Sequence, residues 1–505
     1  MSLPPNLDQF SADELRRLLI EQDRELHWRQ AKIDKLTQEV AYYRRQRYGA
    51  KAEQWSPEQA QLFGETIAAD ISAIEEELAQ LAPEDSSSAP AKEQAKRKPL
   101  PANLPRTDIH HEPESTVCSC GCGMKRIGED VAEKLDYTPG TFTVERHIRG
   151  KWVCAQCETL VQAPVPAHVI DKGIPTTGLL SHVLVAKYLD HLPLYRQESI
   201  FERAGLAIPQ STLAQWVGQM GVRLQPLVDA LKSEMLSHPV LHADETPVAM
   251  LDPGAGKTHR AYLWSYSTGA FDPMKAVVYD FAESRAGKHA QEFLGDWRGT
   301  LICDDYSGYK ALLAKGLTEA GCMAHARRKF FDLHASNQSQ IAVQALEFFG
   351  KLYDVEREVA ELEIDERWRI RQSSAKPIAD DLHAWLIRQR QLVPNGTATA
   401  KAIDYSLKRW VALVHYLSDG QVPIDNNWIE NRIRPIALGR KNWLFAGSLR
   451  AGKRAAAIMS LIQSAKLNGH DPFAYLKDVL DRLPTQPNSK INELLPHLWQ
   501  PKNNA

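Results

Sequence analysis

Near the start of the chain, apolar residues recur with the seven-residue period that is typical of a coiled coil. The two alternating rows consist of Leu19, Leu26, Ile33 and Val40 and of Leu15, Gln22, Arg29, Leu36 and Tyr43. The pattern predicts a helix over residues 12–46 that associates with a second copy of the chain, with the polar pair in the second row setting the register. The alternative is a single amphipathic helix that packs on its own domain.

The pattern remains helical in two later stretches, which a linker separates. A second helix is predicted from Ser56 to about Leu81, and residues 83–106 are then rich in Pro, Ser and Lys, which predicts a flexible linker. Residues 176–235 are predicted to be helical, and the stretch 196–220 resembles a helix-turn-helix. A plain helical hairpin in a bundle is the alternative.

From residue 238 the period changes to short β-branched and aromatic runs with turn signals between them. The predicted strands lie within 238–250, 259–268, 275–283 and 299–308. The predicted elements that complete this half are a helix over 287–297, a short strand passing into a helix over 320–335, and helices within 340–418, 425–436 and 451–483. This order predicts a mixed α/β sheet.

Composition is that of an ordinary globular protein, with 505 residues, 43% hydrophobic residues and a net charge of -2. The length predicts two to four domains. The sequence contains no run of eighteen apolar residues and no signal-peptide pattern at its N-terminus, which predicts a cytoplasmic protein without a membrane span.

The net charge hides a basic segment between Asn431 and His470, which contains no Asp or Glu. Its cationic residues are Arg432, Arg434, Arg440, Lys441, Arg450, Lys453, Arg454 and Lys466. Because the run has one sign and is interleaved with Trp443 and Phe445, it predicts contact with nucleic-acid phosphates. The alternative is a solvated charged face.

Five of the seven cysteines are clustered, which in a cytoplasmic chain indicates metal binding. They are Cys118, Cys120, Cys122, Cys154 and Cys157. The last two have the spacing with which both thiolates can reach one tetrahedral Zn²⁺, and residues 142–153 before them alternate like a strand. A structural zinc ion is predicted, with one of the first three cysteines spare; reduced thiols on a small β module are the alternative.

Three carboxylates stand out in the second half of the chain. Asp244 lies at the end of the first apolar strand and Asp304 ends the fourth, so the two would face each other if these strands are neighbours. Glu430 lies on a predicted helix and shares a face with Asn427 and Arg434; pairing with Arg434 alone is the alternative. Three carboxylates can hold two Mg²⁺ ions roughly 4 Å apart.

Nine short motifs in the same order give the chain a resemblance to the transposases of insertion-sequence family 66, which belong to the DDE class. They cover nearly the whole chain: RYGAKAEQ (47–54), LPANLPR (100–106), RIGEDVAEKLDYTPG (126–140), HADETP (242–247), CDDYSGYKA (303–311), GCMAHARRKF (321–330), DNNWIENRIRP (425–435), KNWLFAGS (441–448) and AKLNGHDPFAYL (465–476).

The resemblance implies that Asp244, Asp304 and Glu430 form a catalytic triad with two Mg²⁺ or Mn²⁺ ions on a ribonuclease-H-like core. Asp304 is preferred over Asp305 because the family commonly has Gly at the latter position. The implied reaction is cleavage and joining of DNA strands, without a covalent enzyme intermediate. The helices between Asp304 and Glu430 are similar to the insertion expected of this family.

The resemblance also implies further contacts. Cys322 and His325 match a Cys-x-x-His pair that is found after the second Asp in several transposase groups, where it would orient the site or contact DNA; a structural core pair is the alternative. The zinc module and the helices of 176–235 would bind the terminal repeats. Phosphate contacts and base stacking are expected from Arg327, Arg328, Arg432, Arg434, Arg440, Lys441, Trp443, Arg450, Lys453 and Arg454.

The expected fold is multidomain α+β, with a ribonuclease-H-like catalytic core, an α-helical insertion, an N-terminal coiled-coil helix and a small zinc-binding β module. The expected domains are a helical dimerisation region (1–82), a linker (83–106), a zinc-finger module (107–170), a helical region (171–236), the catalytic core (237–335 and 421–460), the insertion (336–420) and a C-terminal helical region (461–505).

The expected partners are the DNA of the element's ends and of the target, further copies of the chain and accessory proteins of the same element, at the nucleoid. Two other functions fit the residues: a nuclease with the same core that cuts without joining, and a non-catalytic DNA-binding protein derived from a transposase. A zinc-stabilised coiled-coil scaffold would leave the carboxylates and the basic segment unexplained.

Overall fold

A computed structural model describes residues 11–48, 68–79, 100–170, 173–252 and 257–501, apart from residues 114, 118, 120, 121 and 139. Most of the predicted linker, the first part of the predicted second helix, Cys118 and Cys120 therefore lie outside the described residues. None of the described helices is both long enough and apolar enough to cross a membrane.

The N-terminal region is helical, as the heptad pattern predicts. Helix α1 (Ala12–Tyr48) is followed by α2, which comprises residues 68–79, and Lys35 on α1 donates to Glu75 on α2 over 2.6 Å. In the single chain, Leu19 and Leu26 on the heptad face are 66% and 64% exposed. Pairing with a second copy stays a prediction.

The cysteine-rich region is a small four-stranded sheet. It consists of β1 (Arg106–His111), β2 (Met124–Thr138), β3 (Thr141–Cys154) and β4 (Leu160–Gln162). Strand β3, which confirms the strand predicted over 142–153, pairs parallel with β1 and antiparallel with β2 and β4. Phe142 packs edge-on against Phe201 of the helices that follow, so the sheet shares the main hydrophobic core.

The stretch that resembles a helix-turn-helix belongs to a helical layer. It contains α3 (Thr177–Tyr188), α4 (Leu194–Arg203) and α5 (Gln210–Met235). Gly205 turns the chain after α4 with a φ of 95°, which a glycine adopts without strain. Buried residues occupy most of the first turns of α5, including Leu213, Val217 and Met220. This burial favours the helical hairpin over a recognition helix, because a recognition helix needs a free face.

The predicted mixed sheet is confirmed, with five strands in the order β7-β6-β5-β8-β9. Its elements are β5 (Val240–Leu251), β6 (Thr258–Thr268), β7 (Val277–Ala282), α6 (Gly287–Leu294), β8 (Thr300–Cys303), α7 (Lys310–Leu313), β9 (Thr318–Gly321) and α8 (Met323–Asn337). Strands β5, β6 and β7 are antiparallel neighbours, whereas β8 and β9 run parallel to β5. The strands are rich in β-branched and aromatic residues because both faces are covered.

The chain between β9 and the last helices forms a second hydrophobic core. Its helices are α9 (Gln340–Val359), α10 (Ile364–Ile370), α11 (Lys376–Leu392), α12 (Ala398–Lys408) and α13 (Trp410–Leu413). Fully buried Arg371 pairs with Glu356 and donates to three backbone carbonyls, so its charge is satisfied inside this unit. The helical prediction for 340–418 is confirmed.

Three C-terminal helices complete the part of the chain that contains the five-stranded sheet: α14 (Asn427–Trp443), α15 (Leu449–Leu467) and α16 (Pro472–Arg482). Helix α15 covers edge strand β7, where the hydroxyls of Ser460 and Ser464 accept from the backbone N–H groups of Tyr279 and Val277. These contacts satisfy backbone groups that an uncovered edge would leave unpaired.

Candidate active site

Asp244 and Asp304 come to the same level of the sheet. In the parallel pair of β5 and β8, His242 lies opposite Ile302, and each aspartate lies two residues further along its chain. The interpretation of Asp244 as a strand-end residue was wrong in one respect, because β5 continues to Leu251 along β6. The strand that ends near Asp244 is the neighbouring strand β8. The carboxylate therefore lies beside the gap that the end of β8 leaves next to β5.

Asn426 joins the start of α14 to β5 next to Asp244. Its side-chain amide donates to the carbonyl of Ala243 over 2.9 Å, and its Oδ1 is 2.7 Å from Nδ1 of His242. Its backbone N–H donates to Sγ of Cys322 over 3.3 Å. These contacts explain why Glu430, in the first turn of α14, lies near residues so distant in sequence.

Asp244 is a buried carboxyl with other acids around it, and both features raise its pKa. Burial raises it to about 8, and the charges of Glu245, Asp304 and Glu430 contribute in the same direction, against a hydrogen bond from the backbone N–H of Glu245. Burial also lowers the pKa of His242 to about 4, so this imidazole is neutral and does not offset the negative charge. The Asp244 carboxyl is therefore protonated near neutral pH, and a divalent cation bound there would favour its carboxylate form.

Glu245 is a site residue that the sequence reasoning missed. Its carboxylate is buried and accepts from Nε of Arg285 over 2.7 Å and from the hydroxyl of Tyr309 over 2.9 Å. Tyr309 belongs to the turn that begins at Asp304, and the backbone N–H of Tyr306 donates to Asp304 over 3.2 Å. Glu245 therefore fixes the turn that presents Asp304. The sequence contained one signal for Glu245, which is that it directly follows Asp244. Adjacent side chains on a strand point to opposite faces of the sheet, so two adjacent acids indicate two different contacts.

Glu430 faces two residues of α8 rather than Arg434. Among the described ion pairs none joins Glu430 to Arg434, and Oε1 of Glu430 lies 3.8 Å from Nδ1 of His325. Cys322, His325 and Glu430 have ligand atoms within 4.8 Å of one another. Among the described residues, no other three acidic, histidine or cysteine side chains have ligand atoms this close together. The carboxylates of Asp244, Asp304 and Glu430 therefore lie too far apart to be the ligands of a single ion.

Asp305 points to a different part of the molecule. It is exposed and lies 3.2 Å from a guanidinium nitrogen of Arg409, which also pairs with Glu319 over 2.6 Å. Because Arg409 follows α12 of the helical insertion, this contact ties the insertion to the sheet. It favours Asp304 as the site residue of the two.

The second cysteine pair forms the turn between β3 and β4. The backbone N–H of Cys154 donates to Thr159, and the N–H of Glu158 donates back to Cys154, which places Cys157 at the tip of the turn. The thiol of Cys122 donates to Oε1 of Gln156 over 2.7 Å. Three of the five predicted zinc ligands are thus brought to one end of the small sheet.

The predicted DNA-binding residues fall into distinct environments. The exposed ones are Arg327, Arg328, Arg434, Lys441 and Lys453, whereas Arg432, Arg440, Trp443 and Arg450 are half-buried. The prediction for Arg454 was wrong, because this side chain is buried and pairs with Asp70 of α2 over 3.0 Å. Arg450 pairs with Asp34 and Glu77 of the N-terminal helices. Acidic partners from those helices therefore neutralise part of the basic segment.

Four family models match consecutive parts of the chain. Residues 172–454 match "Transposase IS66 family", and residues 460–497 match "IS66 C-terminal element". Residues 115–158 match "zinc-finger binding domain of transposase IS66", which agrees with the predicted zinc module. Residues 35–109 match "Transposase C of IS166 homeodomain".

Similar full-length proteins occur in Sinorhizobium fredii. Uncharacterized protein y4jD is 36% identical over 490 residues, which span 92% of this chain and 94% of the relative. Uncharacterized protein y4qI is 36% identical over 489 residues, which span 93% and 90% of the two chains. Uncharacterized protein y4hP is 36% identical over 427 residues, or 80% and 77%.

Proposed function

The chain belongs to the IS66 family of transposases, and on this premise we propose that it cuts and joins DNA strands at the ends of an insertion element through Asp244, Asp304 and Glu430. The observation that carries the proposal is the register of β5 and β8, which brings Asp244 and Asp304 to one level of the sheet. The hydrogen bonds of Asn426 to Ala243 and His242 hold the start of α14 beside Asp244, which supports Glu430 as the third carboxylate.

The strand order supports a ribonuclease-H-like core. Three antiparallel strands, β5 to β7, precede a helix, and two parallel strands, β8 and β9, then extend the sheet on the other side of β5. In this arrangement β5 and β8, the first and fourth strands in chain order, are neighbours. Asp244 lies in β5, and Asp304 directly follows β8. The helical insertion returns the chain to the same edge at α14.

Oxygen ligands fit Mg²⁺ or Mn²⁺, which Asp244, Asp304 and Glu430 would hold. Bound there, two such ions would activate the attacking hydroxyl and stabilise the leaving oxygen of the phosphodiester. The protein's own contribution is rigidity: Asn426 fixes the helix of Glu430 against β5, and Glu245 fixes the turn of Asp304.

Exposed cations next to this site would hold the phosphate backbone. Arg327 and Arg328 follow His325 on α8, and Arg434 and Lys441 lie on the helix of Glu430. Such contacts position DNA without reading its sequence. Recognition of the terminal repeats is assigned to the zinc module, and pairing of two chains to α1.

The test is cleavage and strand transfer with Mg²⁺ or Mn²⁺ on DNA that carries the element's ends. A substrate with a free 3′-hydroxyl at the cut end separates joining from cutting. Asp304→Asn and Glu430→Gln are expected to abolish both steps while DNA binding persists. Asp305→Asn is the matched control, and it is expected to keep activity because Asp305 faces Arg409.

Three results would contradict the proposal. Activity that survives Asp304→Asn but not Asp305→Asn would move the second carboxylate by one residue. Cutting without joining in the wild type would leave a nuclease. Absence of both reactions with intact DNA binding would favour a binding protein, once accessory proteins of the element have been supplied.

A further inference from the structure

A thiol, an imidazole and a carboxylate converge where two helices begin. Cys322 is the N-cap residue of α8, and His325 lies three residues later in the first turn of that helix. These two positions place side chains together at a helix start, as in a capping box. Glu430 belongs to the first turn of α14. The two helix starts are joined because the N–H of Met323 donates to the carbonyl of Ile424 over 3.1 Å.

Two of the ligand atoms in this group, one on His325 and one on Glu430, are buried and have no hydrogen-bond partner in the protein. Nδ1 of His325 and Oε1 of Glu430 are buried atoms without a hydrogen bond, although they lie only 3.8 Å apart. Buried polar atoms normally find a partner, because leaving one unpaired costs about 1–3 kcal/mol. The separation is too long for a hydrogen bond between them, so the pair does not satisfy itself.

A tetrahedral metal ion accounts for the distances and for the unpaired atoms. Zinc ligands lie about 2.0–2.3 Å from the ion, so two ligands of one zinc are separated by roughly 3.3–3.8 Å. Sγ of Cys322, Nδ1 of His325 and one oxygen of Glu430 lie within 4.8 Å of one another, so small side-chain rotations would suffice. The N–H of Asn426 already points at the sulfur over 3.3 Å, as is common for metal-bound thiolates.

We propose that Cys322, His325 and Glu430 bind a zinc-class divalent cation, with water in the fourth position. The sulfur and nitrogen ligands select a softer ion than the oxygen-only pair of Asp244 and Asp304. The site would commit Oε1 of Glu430, so only the other oxygen of this carboxylate is left to face the aspartates. The bound ion would hold Glu430 in place, and this function differs from that of the zinc in the cysteine-rich module.

Zinc content of the full-length chain, reconstituted with zinc alone and measured by mass spectrometry of the metal, tests the site. His325→Gln and Cys322→Ser are each expected to lower the content by about one ion per chain. Cys303→Ser is the matched control, because Cys303 is also buried at the sheet but does not belong to the group. Cys154→Ser is expected to remove the zinc ion of the cysteine-rich module independently. The decreases in zinc content caused by Cys154→Ser and by Cys322→Ser should therefore be additive in the double variant.

Folding and function are separated by design. His325 is half-buried, so His325→Gln is the variant expected to keep the thermal midpoint of the wild type. Unchanged zinc content in folded His325→Gln would overturn the proposal, as would an equal loss in Cys303→Ser. Since zinc is counted without DNA, the site stands apart from the proposed strand transfer. A protein that binds this zinc but has no strand-transfer activity would refute only the proposed reaction. A protein that has the activity but does not bind this zinc would refute only the proposed zinc site.

Discussion

Removing Asp70 should release α2 from α15, because it leaves the buried cation of Arg454 without its counter-charge. Both side chains of the Asp70–Arg454 pair are almost fully buried, and Asp70 also accepts from the hydroxyl of Ser448. Breaking one side of such a pair costs about 3–5 kcal/mol. The same attachment includes a close approach of α2 to α5, where a side chain at Gly218 would meet the backbone of Ala69.

Hydrogen exchange of peptides from residues 68–79 measures this attachment without requiring the whole chain to unfold in one step. With at least 3 kcal/mol lost, Asp70→Asn should speed exchange in α2 by about 100-fold, if local opening limits it. The double variant Asp70→Asn with Arg454→Met should recover most of this loss, since no charge is then buried alone. Lys453→Met, on an exposed neighbour, is the control and should change little. Equal exchange in Asp70→Asn and wild type, or strictly additive effects in the double variant, would refute the reasoning.

Three further predictions concern the active site. Because the pKa of Asp244 is raised to about 8, Mn²⁺ must displace the proton of this carboxyl below that pH. The Kd for Mn²⁺, measured by electron paramagnetic resonance, should therefore fall about tenfold from pH 6 to 7 and level off above pH 8. A Kd that does not change with pH would contradict this prediction. Glu245→Gln should weaken the hold on the Asp304 turn and lower the strand-transfer rate by roughly 10- to 100-fold with DNA affinity unchanged; wild-type rates would show that the turn holds itself. Asn426→Ala should destabilise the start of α14 by about 1–3 kcal/mol and cut activity, whereas Asn427→Ala, on an exposed neighbour, should not; thermal melting compares the two.

Local pattern was enough to locate the helices, the five-stranded sheet and the end of the small sheet where the cysteines meet. Period and turn signals depend on neighbours in the sequence, and β5 to β8 follow them closely. The contribution of Asn426 could not be predicted, because it depends on contacts with Ala243 and His242 that exist only after the sheet and the insertion have folded.

The basic segment shows the opposite limit of sequence reasoning. A run of cations indicates charge but not the side of the helix on which each one lies. Arg454 faces α2, far away in sequence, and is buried there, whereas its neighbour Lys453 is exposed. The placement of Asp244 at a strand end was wrong for a related reason: β6 supports β5 beyond the point where β8 ends.

The position of α9 to α13 in the chain, between the strand that precedes Asp304 and the helix of Glu430, has a consequence for synthesis on the ribosome. Asp244 and Asp304 emerge early, and the whole insertion must then be made before Asn426 can dock beside them. Since domains tend to fold in the order in which they are translated, the strands of the two aspartates are synthesised before Glu430 becomes available. A chain that terminates prematurely within the insertion would contain the paired aspartates without Glu430. Under the proposed triad, such truncated products lack one of the three carboxylates and are expected not to cut DNA.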